Sequence, residues 1–212
     1  SQNINDYDLG VALENIYNFI WNEFCDWYIE MAKSRLYSEN KQEKAQVCYV
    51  LNYVLRNSLK LLHPFMPFIT SEIYSKLVNP DDKDLMVSDW PKANDSIEYD
   101  TSKDFIENLK DVITQIRNVR ANMNVHPSKK AKLIFVTTEY NKDIEQSKAF
   151  IEKLGFANEI AIQDNKDNIP QNAISIISNG MEVYIPFEEL VDVEEEKKRL
   201  EDEKKKVLAE IE

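Results

Sequence analysis

RNVRANMNVHPSKKAKL, running from Arg117 to Leu133, is the stretch on which the fold turns. Before it, apolar residues return every three or four positions; after it, they fall into short β-branched runs. Its own chemistry is equally marked. The segment carries Arg117, Arg120, Lys129, Lys130 and Lys132 and no carboxylate, although the chain of 212 residues holds 38 Asp and Glu against 26 Lys and Arg, a formal net charge of -12. A basic corner in an acidic protein points to a polyanionic partner. A phosphate close to that corner responds to local charge, because the screening length at physiological salt is about 8 Å.

Upstream of this stretch the pattern is helical. Residues 12–37 read as a long amphipathic helix with Leu13, Ile16, Ile20, Phe24, Trp27 and Met31 on one face. Residues 42–62 repeat the pattern through Cys48, Leu51, Leu55, Leu59 and Leu62. Pro64 ends that helix, since proline has no N–H to donate and restricts the residue before it. Pro67 suits the first turn of the next helix, which "FITSEIYSKL" continues to Leu77. "VNPDDKDLMVSDWPKANDS" is rich in Pro, Asp and Asn and reads as irregular connection. A fourth helix, from about Thr101 to Met123, carries Phe105, Leu109, Val112, Ile116, Val119 and Met123 as its stripe. Together these predict an antiparallel helical bundle over residues 1–131.

Downstream the texture changes at Lys132. "KLIFVTT", "EIAIQ", "ISIIS" and "MEVYIP" read as strands. Residues 143–154 read as a short helix ended by Gly155, and "SNG" as a hairpin turn, because Asn-Gly supplies positive φ. A small α+β subdomain is expected over residues 132–189. From Leu190 a heptad begins, through Val193, Lys197, Leu200, Lys204, Val207 and Ile211, and reads as the start of a coiled-coil arm over residues 190–212. Two lysines weaken its seam, so it is expected to project from the body and to take a partner. The fold class is mainly α: an antiparallel bundle, then a small α+β subdomain, then a terminal coiled-coil helix.

Composition removes several kinds of function. Three glycines, none clustered, leave no loop in which backbone could cradle a phosphate or a dinucleotide. His63 and His126 each precede a proline, far apart and without a Cys or Asp cluster, so neither a zinc site nor a catalytic triad is legible. Glu23, Asp26 and Glu30 share one helix side and read as a solvated face or as partners for arginines. Trp21, Phe24, Trp27 and Tyr28 read as core. No apolar run approaches the roughly 18 to 20 residues of a membrane span. The first thirty residues hold no Lys or Arg, unlike a signal peptide. Cys25 and Cys48 read as reduced thiols of a cytoplasmic protein. The chain opens without Met and ends inside a helical repeat, so a piece of a longer protein is expected.

The basic corner remains as the candidate site. Arg117 and Arg120 lie three residues apart on one helix face, Asn124 continues it, and Lys129 and Lys130 follow after Pro127. Lys33 and Arg35, at the end of the first helix, are secondary candidates. A guanidinium can grip a phosphate through two bonds and also stack on a base.

"FIWNEFCDWYIEMAKSRLY", "LKLLHPFMPFITSEIY" and "IRNVRANMNVHPSKK" closely resemble the anticodon-binding helical domain of bacterial valyl-tRNA synthetases, and "VYIPFEELVDVEEEKKRLEDEKKKV" is similar to the start of that family's C-terminal coiled coil. The wording "EFCDWYIE" separates the chain from the isoleucyl, leucyl and methionyl relatives. It departs from the family in two places, having Asn122 where Glu is common and His126 where Pro is common. The resemblance implies a parent enzyme that joins valine to its tRNA with ATP and magnesium, its catalytic and editing domains lying outside this chain. The chain itself is then expected to carry no catalytic residue, metal or cofactor. Its implied partners are the anticodon arm of tRNA and the rest of the synthetase, with no membrane and no DNA, as a monomer in the cytoplasm. Two alternatives stay open: a helical scaffold dimerised through its heptads, or the equivalent domain of an isoleucyl relative.

Overall fold

The computed structural model describes residues 2–79, 83–93 and 99–190. They are mostly helical with one four-stranded sheet, and the chain divides into two compact units, Ser1–Ile97 and Glu98–Glu212.

In the first unit a short helix α1 (Gln2–Asn5) precedes α2 (Leu9–Asn18). The helix continues through Phe19–Ile29 with the wider winding of a π-helix and closes as α3 (Glu30–Leu36). Winding through i→i+5 bonds changes the angular step between residues, so the stripe expected from a 3.6-residue period is displaced. Ala12, Phe24 and Ala32 are its buried residues, while Leu13 is exposed. Trp21 departs from the core reading: it is exposed and stacks on Tyr17, with ring centroids 6.3 Å apart. Phe24 is buried as expected and stacks on Tyr28 at 6.0 Å.

Asn40 starts α4 (Lys41–Leu62) as a cap, its side-chain oxygen accepting from the N–H groups of Gln42 at 3.0 Å and Glu43 at 3.4 Å. The buried residues of α4 are Val47, Ser58 and Leu59; Cys48, expected on the apolar stripe, is exposed. The link from α3 to α4 is four residues long, which forces an antiparallel hairpin. Ala12, Asn15, Ile16 and Phe19 accordingly line one pocket with Ser58 and Leu61. The helix ends at His63, before Pro64, and Pro67 opens α5 (Pro67–Ser75) at its first turn. His63 Nδ1 lies 2.8 Å from the Thr70 hydroxyl, and Thr70 donates to the Met66 carbonyl at 2.8 Å, which ties the two helix ends together. Leu59, Tyr74 and Leu85 form a core cluster with Leu55, Leu77 and Val78 packed against it.

In the second unit α6 (Asp100–Asn122) leads into β1 (Ala131–Val136), α7 (Asn141–Leu154), β2 (Ala157–Gln163), β3 (Ala173–Ser178), β4 (Met181–Pro186) and α8 (Phe187–Leu190). The sheet order is β2-β1-β4-β3. β1 and β2 are parallel across the α7 connection, and the β1–β4 and β3–β4 pairs are antiparallel. Gly180 takes φ +76 in the two-residue turn that joins β3 to β4, where Ser178 pairs with Met181, as "SNG" predicts.

By packing, the chain divides between Ile97 and Glu98. The fourth helix of the anticipated bundle, α6, belongs to the compact unit that holds the sheet, and it packs against β3 and α7. Phe105, Leu109, Val112, Ile113 and Ile116 are its buried apolar residues. Phe105 meets Tyr140 with ring centroids 5.5 Å apart. Gly155, after α7, leaves room for Leu133 of β1 and Ile116 of α6. A Cβ there would lie 2.9 Å from the Ile151 carbonyl oxygen, 3.2 Å from Leu133 Cδ1 and 3.7 Å from Ile116 Cδ1. The heptad from Val193 to Ile211 lies outside the described residues.

Candidate nucleic-acid interface

The basic corner is built where α6 ends and the chain turns into β1. Asn124 adopts φ 52, a left-handed conformation that an L-residue other than Asn or Asp seldom takes. Its N–H donates to the Ala121 carbonyl at 3.0 Å, and the Val125 N–H donates to the Arg120 carbonyl at 2.9 Å. Those two bonds, crossed over a left-handed residue, form a Schellman cap and satisfy the last carbonyls of the helix. Asn124 thus answers a backbone requirement, and its exposed side chain is carried on a fixed turn.

His126-Pro127-Ser128-Lys129 then makes a tight turn, with Pro127 at its second position and the Lys129 N–H donating to the His126 carbonyl at 2.9 Å. The Ser128 hydroxyl lies 2.7 Å from His126 Nδ1. Lys129 and Lys130 are exposed on this turn and just past it.

Arg120 corrects one expectation. Its spacing makes it an outward neighbour of Arg117, but only 4% of it is exposed. Its Nη2 donates to the His126 carbonyl at 3.2 Å and also to the Lys129 carbonyl. The guanidinium carbon sits 4.9 Å from the centroid of the Phe156 ring. Burial pulls its pKa below the ordinary arginine value. Arg120 therefore holds the lysine-bearing turn from beneath. Carbonyl dipoles and an aromatic face stabilise the cation in these contacts.

Arg117 is exposed, and its Nε donates to the Leu154 carbonyl at 3.2 Å. Leu154 is the last residue of α7, so the cation also meets the negative end of that helix. Lys132 pairs with Glu159 at 2.6 Å across the parallel strands. Arg117, Asn124, Lys129 and Lys130 are thus brought to one end of α6 with Arg120 underneath them. Lys33 and Arg35 belong to the first unit, where Lys33 pairs with Glu30 and Arg35 is exposed. Two groups that serve the corner escape a reading of the sequence: Phe156, held at φ 55, and the Leu154 carbonyl. Gly155 between them is the one local signal.

A turn at the end of a helix thus displays two lysines, with a buried arginine bonded to its carbonyls beneath them. A family model describing the anticodon-binding domain of tRNA ligase matches residues 1–135, and the chain belongs to that family. The relatives are more particular. The chain is 42% identical over its whole length to valine–tRNA ligase of Clostridium acetobutylicum and 40% identical over its whole length to that of Clostridium perfringens. It is 38% identical over 93% of its length to that of Geobacillus stearothermophilus. It spans 24% of the first two relatives and 22% of the third, about a quarter of their length.

Proposed function

We propose that this chain is the part of a valine–tRNA ligase that holds the anticodon arm of the tRNA. The observation that carries the reading is similarity along the entire chain to proteins of that name, at 42% identity, within a family defined by anticodon binding. The parent enzyme would use ATP with magnesium to join valine to its tRNA, at an active site outside this chain. The chain contributes grip and orientation, and no bond-breaking step.

In this reading Lys129 and Lys130 meet backbone phosphates, and Arg117 and Asn124 lie where they can reach the RNA beside them. Arg120 acts as a positioning residue through the two carbonyls it binds. Lys33 and Arg35 supply weaker, separate charge. The protein works as a monomer in the cytoplasm. Direct titration of the chain with purified valine tRNA and with a panel of other tRNAs tests the proposal. Preferential binding of valine tRNA supports it; equal or absent binding removes it.

A further inference from the structure

A second surface, on α4, has the chemistry of a base-stacking platform. Tyr49 and Tyr53, one helical turn apart, are 70% and 57% exposed, an unusual state for two large rings on one face. Their centroids lie 6.3 Å apart and their planes differ by 20°. They share a shallow groove with Asn52, Arg56, Asn57 and Lys60. Two rings, two amides and two cations line the groove, and no carboxylate is among them. Along its whole length α4 carries Lys41, Lys44, Arg56 and Lys60 against one acid, Glu43, in a chain of net charge -12.

The two cations are held in place. Arg56 Nη2 donates to the Tyr74 hydroxyl at 3.3 Å, with its guanidinium carbon 5.4 Å from that ring's centroid. Lys60 Nζ donates to the Asp89 carbonyl at 3.1 Å. Asn57 donates to the Tyr53 carbonyl at 3.0 Å, and Asn52 to the Leu77 carbonyl at 3.4 Å. Near-parallel rings on a rigid helix, flanked by fixed positive charge and amides, suit unpaired nucleobases joined by phosphates.

We propose that Tyr49 and Tyr53 stack on unpaired bases of the bound tRNA, with Arg56 and Lys60 attracting the adjoining phosphates. The inference rests on the RNA-binding reading above and adds a site to it. The test uses the chain and two RNA probes: the anticodon stem-loop of a valine tRNA with 2-aminopurine in its loop, and a blunt duplex of the same stem with no unpaired bases. Three proteins are compared: the parent sequence, Tyr49→Ala/Tyr53→Ala, and Tyr49→Phe/Tyr53→Phe. Both rings are exposed, so the variants should keep the parent's thermal melt.

The Ala pair should bind the stem-loop roughly 5- to 150-fold more weakly for each stacked base that it no longer holds, and the change in 2-aminopurine fluorescence should vanish. The Phe pair should bind like the parent, and the duplex should not distinguish the three proteins. Undiminished stem-loop binding by the Ala pair overturns the platform while leaving the RNA reading intact. An equal drop in the Phe pair also overturns it, because the hydroxyls and not the ring faces would then be responsible. Failure of the parent sequence to bind the stem-loop removes the RNA reading and the platform with it.

Discussion

The guanidinium of Arg120 lies 4.9 Å from the centroid of the Phe156 ring, fastening the end of α6 to the residue that precedes β2. The same side chain binds the carbonyls of His126 and Lys129. One buried arginine thus fixes the shape of the turn that displays Lys129 and Lys130. Truncating it removes charge-assisted hydrogen bonds to both carbonyls, and only that of His126 keeps a second donor, the Lys129 N–H. Arg120→Ala should destabilise the chain by about 2–4 kcal/mol. Arg120→Lys should recover only part of that, because an ammonium lacks the planar fork and the ring-stacking face. Thermal or urea unfolding measures both, and a melt unchanged in Arg120→Ala would contradict the positioning role.

The two lysines above it act differently. Both are exposed on a turn whose backbone the Arg120 side chain already fixes, so Lys129→Ala/Lys130→Ala should leave the melt unchanged. It should weaken binding of every tRNA to a similar degree. The slope of log affinity against log salt should fall by roughly 0.7 to 0.9 for each phosphate no longer neutralised. Affinities measured over a range of salt concentrations decide this; an unaltered slope would place the phosphates elsewhere.

Asn124 separates a backbone requirement from an RNA contact. Glycine adopts φ 52 without strain, whereas alanine there costs about 1–2 kcal/mol. Asn124→Gly should melt close to the parent and Asn124→Ala clearly lower. If the amide also reaches RNA, folded Asn124→Gly will bind tRNA more weakly than the parent. Melting temperature and affinity on the same two variants read the two roles separately.

Strand β4 and the loop before β3 share a partly exposed charge cluster with a defined pH response. Glu182 accepts from Lys166 at 2.8 Å and from the Tyr184 hydroxyl at 2.5 Å. The hydrogen bond from Lys166, then that from Tyr184, holds its carboxyl below the usual carboxylate value. A carboxylate with a depressed folded pKa contributes stability that is present above its ordinary value of 4.5 and lost as pH falls through the lower folded value. Lys166 is raised by the same hydrogen bond, so its contribution is lost as pH rises through its elevated value. Because the cluster is solvent-screened, both effects should be small. Glu182→Gln should flatten the acid limb of the stability–pH curve slightly, and a steeper limb would refute the assignment.

Much of this architecture is legible in the residues. Pro64 and Pro67 punctuate the helices at the expected places, because proline acts through its own ring and no tertiary contact can override it. "SNG" sets its hairpin for a similar local reason. The identity of the surface that each face meets is not written locally. The stripe of α6 reveals an apolar side but not that β3 and α7 cover it. Periodicity extends that stripe to Val119 and Met123. Instead the inward step runs Leu109, Ile113, Ile116, Arg120, at spacings that fit a helix equally well. An arginine there reads as surface, since its buried partners are backbone carbonyls contributed by a turn six to nine residues on. Tyr49 and Tyr53 escape notice for the opposite reason: aromatic residues on a helix read as core.

The central claim is that the chain grips the anticodon arm of a valine tRNA. Chemical footprinting of that tRNA, with and without a saturating excess of the chain, tests it most directly. Protection confined to the anticodon stem and loop, and diminished there by Lys129→Ala/Lys130→Ala, is the predicted result. Protection of the acceptor end alone, or no protection at low salt, would contradict it.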